Sequence, residues 1–159
     1  MDGVTTKTRR GNKMIKERIG FFETNSSSSH SLHFDVGCTT FEPFVTDKIT
    51  ITGGEYGWGY DRLDTPIEKI DYIYTLISTI GHGVHEGGSP PTDADLRRVE
   101  MLLGVIREFT GAEVEICYDT CSYIDHQSAE YTEALDDPVA MKALLFGADS
   151  YIIIDNDNH

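Results

Sequence analysis

The chain has 159 residues, a formal net charge of −14, and hydrophobic and aromatic contents of 39% and 10%. That length supports one hydrophobic core and falls short of two domains of usual size, and the apolar content excludes general disorder. No apolar run approaches the roughly 18 residues of a membrane span, and no charged-then-apolar start ending in small residues marks a secretory leader. Three sparse cysteines, Cys38, Cys117 and Cys121, fit free thiols in a reducing compartment better than a disulfide framework. The expected location is the cytoplasm.

The charge is unevenly spread. Residues 1–18 hold six basic side chains against Asp2 and Glu17, a local charge of +4, so the remainder carries −18. A body this acidic repels nucleic-acid phosphates and phospholipid head groups, so neither direct nucleic-acid binding nor membrane association is expected of it. Residues 1–13 lack apolar periodicity and read as a flexible basic arm, with Met14 as an alternative start. Residues 14–159 then form a single α+β domain.

In chain order, Ile15 to Phe22 is short and partly apolar, a candidate first strand. From His30 the pattern alternates, with His30, Leu32, Phe34 and Val36 on one face and Ser31, His33 and Asp35 on the other. Lys48 to Thr52 predicts a second strand, Ile49 and Ile51 opposing Thr50 and Thr52. Gly53 and Gly54 lead into the aromatic run Tyr56-Gly57-Trp58-Gly59-Tyr60, which reads either as rings that stack on a base or a partner or, at least as often, as a bent strand with core aromatics. Thr65-Pro66-Ile67-Glu68 has the hydroxyl, proline and glutamate of a helix start. Ile67, Ile70, Ile73, Tyr74, Ile77 and Ile80 follow at helical spacing until Gly81.

A second helix is capped by Thr92 with Asp95 and carries an apolar stripe of Leu96, Val99, Leu103, Ile106 and Phe109, ending at Gly111. Val114, Ile116 and Tyr118 alternate with Glu113, Glu115 and Cys117 in a half-exposed strand. Asp137-Pro138 opens a short helix ended by Gly147. The unbroken apolar run Tyr151 to Ile154 predicts a central last strand. Strands and helices do not alternate regularly, which favours a mixed or antiparallel sheet packed against two to three helices over a doubly wound sheet. Gly-rich phosphate loops of the P-loop or Rossmann kind are absent.

Two polar segments stand apart. Thr24-Asn25-Ser26-Ser27-Ser28-Ser29-His30 places hydroxyl and amide groups in a row, donors and acceptors able to wrap an anion. His30 starts a strand on its apolar face, so its ring should point inward. Tyr123-Ile124-Asp125-His126-Gln127-Ser128 packs an acid, an imidazole, an amide and a hydroxyl behind an aromatic ring. If the two segments converge, Ser28 or Ser29 becomes a nucleophile or anion donor, His30 or His126 the base, and Asp125 the orienting acid. Thr24, Asn25, Ser26, Ser27, Tyr123 and Ser128 would line such a site. The plainer alternative is a flexible serine loop, a core histidine at 30 and a capped turn around His126.

Residues 21–31 and 123–128 resemble two signature segments of a group of small proteins found in bacteriophage genomes and their bacterial hosts. The likeness covers 17 residues. It implies phage association and that the two segments belong together, and it transfers no activity.

His82-Gly83-Val84-His85-Glu86 has a spacing that could hold a divalent ion, but no further ligand is near in sequence and an inter-helix loop is the favoured reading, so no metal is assigned. No cofactor is indicated. The expected function is a polar Ser/His pocket, ligand-binding or catalytic, for a polar or phosphorylated small molecule. The alternative is a non-enzymatic acidic inhibitor or nucleic-acid mimic that occupies a basic site on a host protein.

Overall fold

The computed structural model describes residues 15–19, 28–57, 59–80, 92–119, 121–124 and 133–156. The basic arm at residues 1–13, Trp58 and the His82–Glu86 segment lie outside them. The described chain is an α+β domain built around one four-stranded antiparallel sheet, in the order β1 (Ile15–Ile19), β2 (Ser28–Phe34), β8 (Tyr151–Asn156), β5 (Asp61–Leu63). β3 (Lys48–Ile51) pairs in parallel with β6 (Glu113–Ile116), and the short β4 (Glu55–Tyr56) pairs in parallel with β7 (Tyr123–Ile124). The helices are α1 (Pro66–Ile80), α2 (Asp93–Thr110) and α3 (Pro138–Phe146), the last preceded by a single 3-10 turn at Glu133–Leu135.

β8 is central, as its apolar run predicts. His30 lies opposite Ile154 and Leu32 opposite Ile152, while Asp61 and Leu63 of β5 meet Ile154 and Ile152 from the other side. Period-two alternation therefore puts His30, Leu32, Phe34, Ile152, Ile154 and Leu63 on one buried face. The opposite face of β2 is also covered. Ser31 bonds His33 Nε2 at 3.0 Å, and the His33 ring stacks on Tyr151 at 4.3 Å, itself capped by the Arg62 guanidinium at 3.9 Å.

The helix starts are those the sequence announces. The Glu68 carboxylate accepts from the Thr65 backbone N–H while the Glu68 N–H reaches the Thr65 hydroxyl, and Thr92 and Asp95 form the same reciprocal box. Gly111 ends α2 in the left-handed region at φ 68°. The expected stripe of α2 packs on the core through Ile106, Val99, Leu103 and Phe109 and is widened by Asp95, Leu102 and Val105, while Leu96 is 51% exposed. Asp95, held in the cap, is buried beside it, where Arg98 pairs with Asp95 and with Asp136. Among the described residues of the aromatic run, Tyr56 lies in a strand, Glu55–Tyr56, and Asp61–Leu63, which has no clear apolar period, is recruited as an edge strand by β8. Asp155 and Asn156 extend β8 against Ser29 and Ser28.

α1 is buried most deeply, touching β3, β7, α2 and α3. Its Asp71 carboxylate accepts from the backbone N–H groups of Thr52 (2.9 Å) and Gly53 (3.1 Å), fixing the turn after β3. Gly53 has φ 77°, and a Cβ there would lie 2.6 Å from both the Ser122 hydroxyl and the Tyr118 ring. Gly53→Ala is therefore expected to lower unfolding free energy by roughly 2 kcal/mol through backbone strain and overpacking. Urea titration of the two proteins measures it, and an unchanged midpoint would show that this turn is not held as described.

Candidate functional site

Of the residues proposed from sequence, His30 is the one whose side chain is described. Its ring points inward as expected, with 2% exposure, and Nδ1 lies 2.8 Å from the Tyr72 hydroxyl on α1. Tyr72 is fully buried, and that burial, reinforced by Tyr56, pushes its phenol well above the usual tyrosine range. Tyr56 meets Tyr72 edge-on at 5.0 Å, and Tyr56 pairs along β4 with Ile124 of β7. Ser28 and Ser29 are paired in β2 with Asn156 and Asp155, and Tyr123 is paired in β7 with Glu55. Thr24, Asn25, Ser26, Ser27, Asp125, His126 and Ser128 lie outside the described residues. What is described of the two polar segments is thus joined by the path His30–Tyr72–Tyr56–Ile124.

Two groups that periodicity does not single out are more unusual. Lys69 of α1 has 0% exposure, and its ammonium donates to the Ser150 hydroxyl at 2.7 Å and the Ser150 carbonyl at 3.2 Å. The Ser150 hydroxyl in turn reaches the carbonyls of Leu144 (2.7 Å) and Gly147 (2.8 Å) at the C-terminal end of α3. A cation here answers the partial negative charge of those carbonyls. Burial still dominates and pushes the Lys69 ammonium down to about 8, against the opposing pull of Asp64, Glu42 and Glu68.

Those three carboxylates belong to the second feature, an acidic face around β5 and the start of α1. Glu42, Glu55, Asp61, Asp64, Glu68 and Asp149 are all exposed there. Asp61 and Glu55 join Tyr56 and the 63%-exposed Tyr60 around a cleft of about 140 Å³. Glu42, Asp64 and Asp149 line a second cleft of about 320 Å³ with Arg62 and Tyr151. Arg62 is already engaged, its Nε bonding both Asp64 oxygens. The other exposed bases among the described residues, Lys48, Arg97, Arg107 and Lys142, lie on other elements. Asp61, Asp64 and Glu68 are neighbours in sequence; the β5–β8 pairing sets Asp149, just before β8, beside them.

The cysteines are free. Among the described residues no group of His, Cys, Asp and Glu side chains could hold a metal ion, and no helix is long and apolar enough to cross a membrane. No protein-family model, curated protein or solved structure matches the chain.

The Lys69 arrangement carries a pH signature. Its folded value of about 8 lies below the ordinary 10.5, so between those values the unfolded chain binds the proton and the folded chain does not. Stability from this group therefore rises as pH rises through that window, and below it the full cost of burying the charge applies. Relative to Lys69→Met, the wild-type protein is expected to gain up to about 1.4 kcal/mol per pH unit across the window. Urea unfolding of both proteins near each end measures it, and parallel pH profiles would contradict the burial.

Proposed function

We propose that the protein is a non-enzymatic acidic binding protein that engages a basic surface of another protein through the face formed by β5 and the start of α1. The observation that carries this reading is the grouping of Glu42, Glu55, Asp61, Asp64, Glu68 and Asp149 at one exposed region, where the described base, Arg62, is committed to Asp64. Such a face speeds encounter with cationic partners and repels nucleic acid. The exposed Tyr60 and the cleft it shares with Tyr56 add aromatic surface on which an arginine or lysine can stack. The resemblance to phage-associated proteins is the reason to look for that partner among host proteins.

A second reading rests on the contact path from His30 to Ile124. Under it, the serine run, His30, Asp125 and His126 form a pocket for a phosphate-bearing ligand, with the buried Tyr72–His30 bond holding one wall. His126→Ala would then cost at least about tenfold in binding or turnover of a phosphate ester such as p-nitrophenyl phosphate, with melting unchanged. Equal behaviour of mutant and wild type removes this reading.

The first reading is tested with an oligolysine peptide followed by fluorescence anisotropy. Affinity is expected to fall about tenfold or more from low salt to roughly 0.3 M as screening shortens. Asp61→Asn, Asp64→Asn and Glu68→Gln together should abolish most of the low-salt binding, whereas the matched triple Glu113→Gln, Glu115→Gln and Asp119→Asn should not. Equal losses from both triples would mean that net charge, and not this face, does the binding.

A further inference from the structure

Beside the acidic face, the strap that follows β2 crosses the end of α3. Glu42 N–H donates to the Phe146 carbonyl and Ala148 N–H to the Thr40 carbonyl. The strap leaves two clefts that share Cys38 and Ala143 as a common wall. The larger, about 510 Å³, is apolar, walled by Val36, Phe41, Val105, Phe109 and Val139, and Val139 is 58% exposed. The smaller, about 250 Å³, is the more polar of the two, with Asp35, Thr39, Thr40, Asp149 and Ser150 among the residues that line it. Residues 148–150 also line the Glu42–Asp64 cleft, so the smaller cleft is continuous with the acidic face.

The two halves differ in charge. Lys142 and Glu108 offset one another in the apolar half, and the Lys142 ammonium is drawn over the Phe41 ring at 4.6 Å. Asp35 and Asp149 in the polar half have no base among the residues that line it. Burial pushes the Cys38 thiol up, with Asp35 and Asp149 adding to it and Lys142 opposing. One further atom points to an occupant. Asp35 Oδ1 accepts from the Gly37 N–H at 2.9 Å, but Oδ2 is buried with no hydrogen-bond partner. A buried carboxylate oxygen left unpaired costs free energy that an incoming donor recovers. Asp35 is among the residues that line the cleft.

We propose that this two-part cleft seats a segment of the basic partner that carries a large apolar side chain beside an arginine or lysine. The apolar side chain fills the Phe41–Phe109–Val139 half, and the cationic head enters the polar half, donating to Asp35 Oδ2 and facing Asp149. Both volumes exceed that of a single side chain, and the pairing of an apolar anchor with a charge-assisted bond is the usual source of specificity in a peptide groove. The inference rests on the acidic-face reading and supplies what charge alone lacks, a preference for one sequence over another.

The test uses full-length ¹⁵N-labelled protein and the capped peptide acetyl-Gly-Phe-Gly-Arg-Gly-amide. Amide shifts are expected at Thr39, Thr40, Ala143 and Ala148, with millimolar affinity. Replacing the peptide's arginine by citrulline, or its phenylalanine by glycine, should each weaken binding about tenfold. Asp35→Asn keeps the acceptor for Gly37 and replaces Oδ2 by an amide donor; it and Asp149→Asn should each weaken binding several-fold, and Val139→Arg should block the apolar half. Binding to the citrulline peptide as tight as to the arginine peptide overturns the cation seat. Shifts confined to Asp61–Glu68, lost in the Asp61/Asp64/Glu68 triple, overturn the cleft and leave the acidic-face reading standing. Absence of binding by any basic peptide overturns both.

Discussion

Helix α1 is enclosed on so many sides that its polar side chains must find partners inside the protein. Lys69, Tyr72 and Thr75 follow one another at helical spacing, and each has 0% exposure. Each is answered by a different element: Lys69 by Ser150 at the turn between α3 and β8, Tyr72 by His30 on β2, Thr75 by the Asp71 carbonyl within the helix. A polar group buried without a partner costs on the order of 1–3 kcal/mol, more when charged. That penalty makes the stripe a specifier of register. A one-residue slip of β2 would turn His30 away from Tyr72 and place Ser29 or Ser31 there instead, and a displaced 147–150 turn would strand an ammonium in the core.

The histidine that looks most chemical in the sequence lies in the interior, bonded to a phenol whose burial disfavours ionisation. The carboxylates are the reverse case. Asp61, Asp64 and Glu68 reach solvent because β5 is an edge strand and α1 begins immediately after it. Edge position and acidity suit each other, since charge on an edge strand discourages unwanted strand pairing while offering a surface to cationic partners. Under the proposed function, the two-part cleft beyond Ala148 turns that general attraction toward a particular neighbour.

Much of this was legible in the residues. Reciprocal caps at Thr65–Glu68 and Thr92–Asp95, the left-handed stop at Gly111, the alternation from His30 and the central Tyr151–Ile154 strand all follow from local chemistry, and they appear where that chemistry puts them. What was not legible depends on neighbours. Periodicity finds one apolar face on a helix, so it picks out Ile70, Ile73 and Ile77 but passes over Lys69 and Tyr72, buried because α3 and the sheet close the other side. Leu96 fits an apolar stripe by spacing alone, yet it lies 51% exposed in the first turn, beside the buried Asp95 that pairs with Arg98. Asp61–Leu63 has no strand signal of its own and becomes one by pairing with β8. Of the candidate site, the inward direction of His30 could be read from its place in the alternation, while its partner, 42 residues away, could not.

The claim on which the rest depends is that Tyr72 and His30 form a closed, dry bond between α1 and the sheet. Alkaline titration of tyrosine absorbance at 295 nm in wild type and Tyr72→Phe, followed together with circular dichroism, isolates that phenol. The account predicts that the signal belonging to Tyr72 appears only as the protein unfolds. A Tyr72 that ionises near the ordinary value of about 10 while the fold is intact would contradict it.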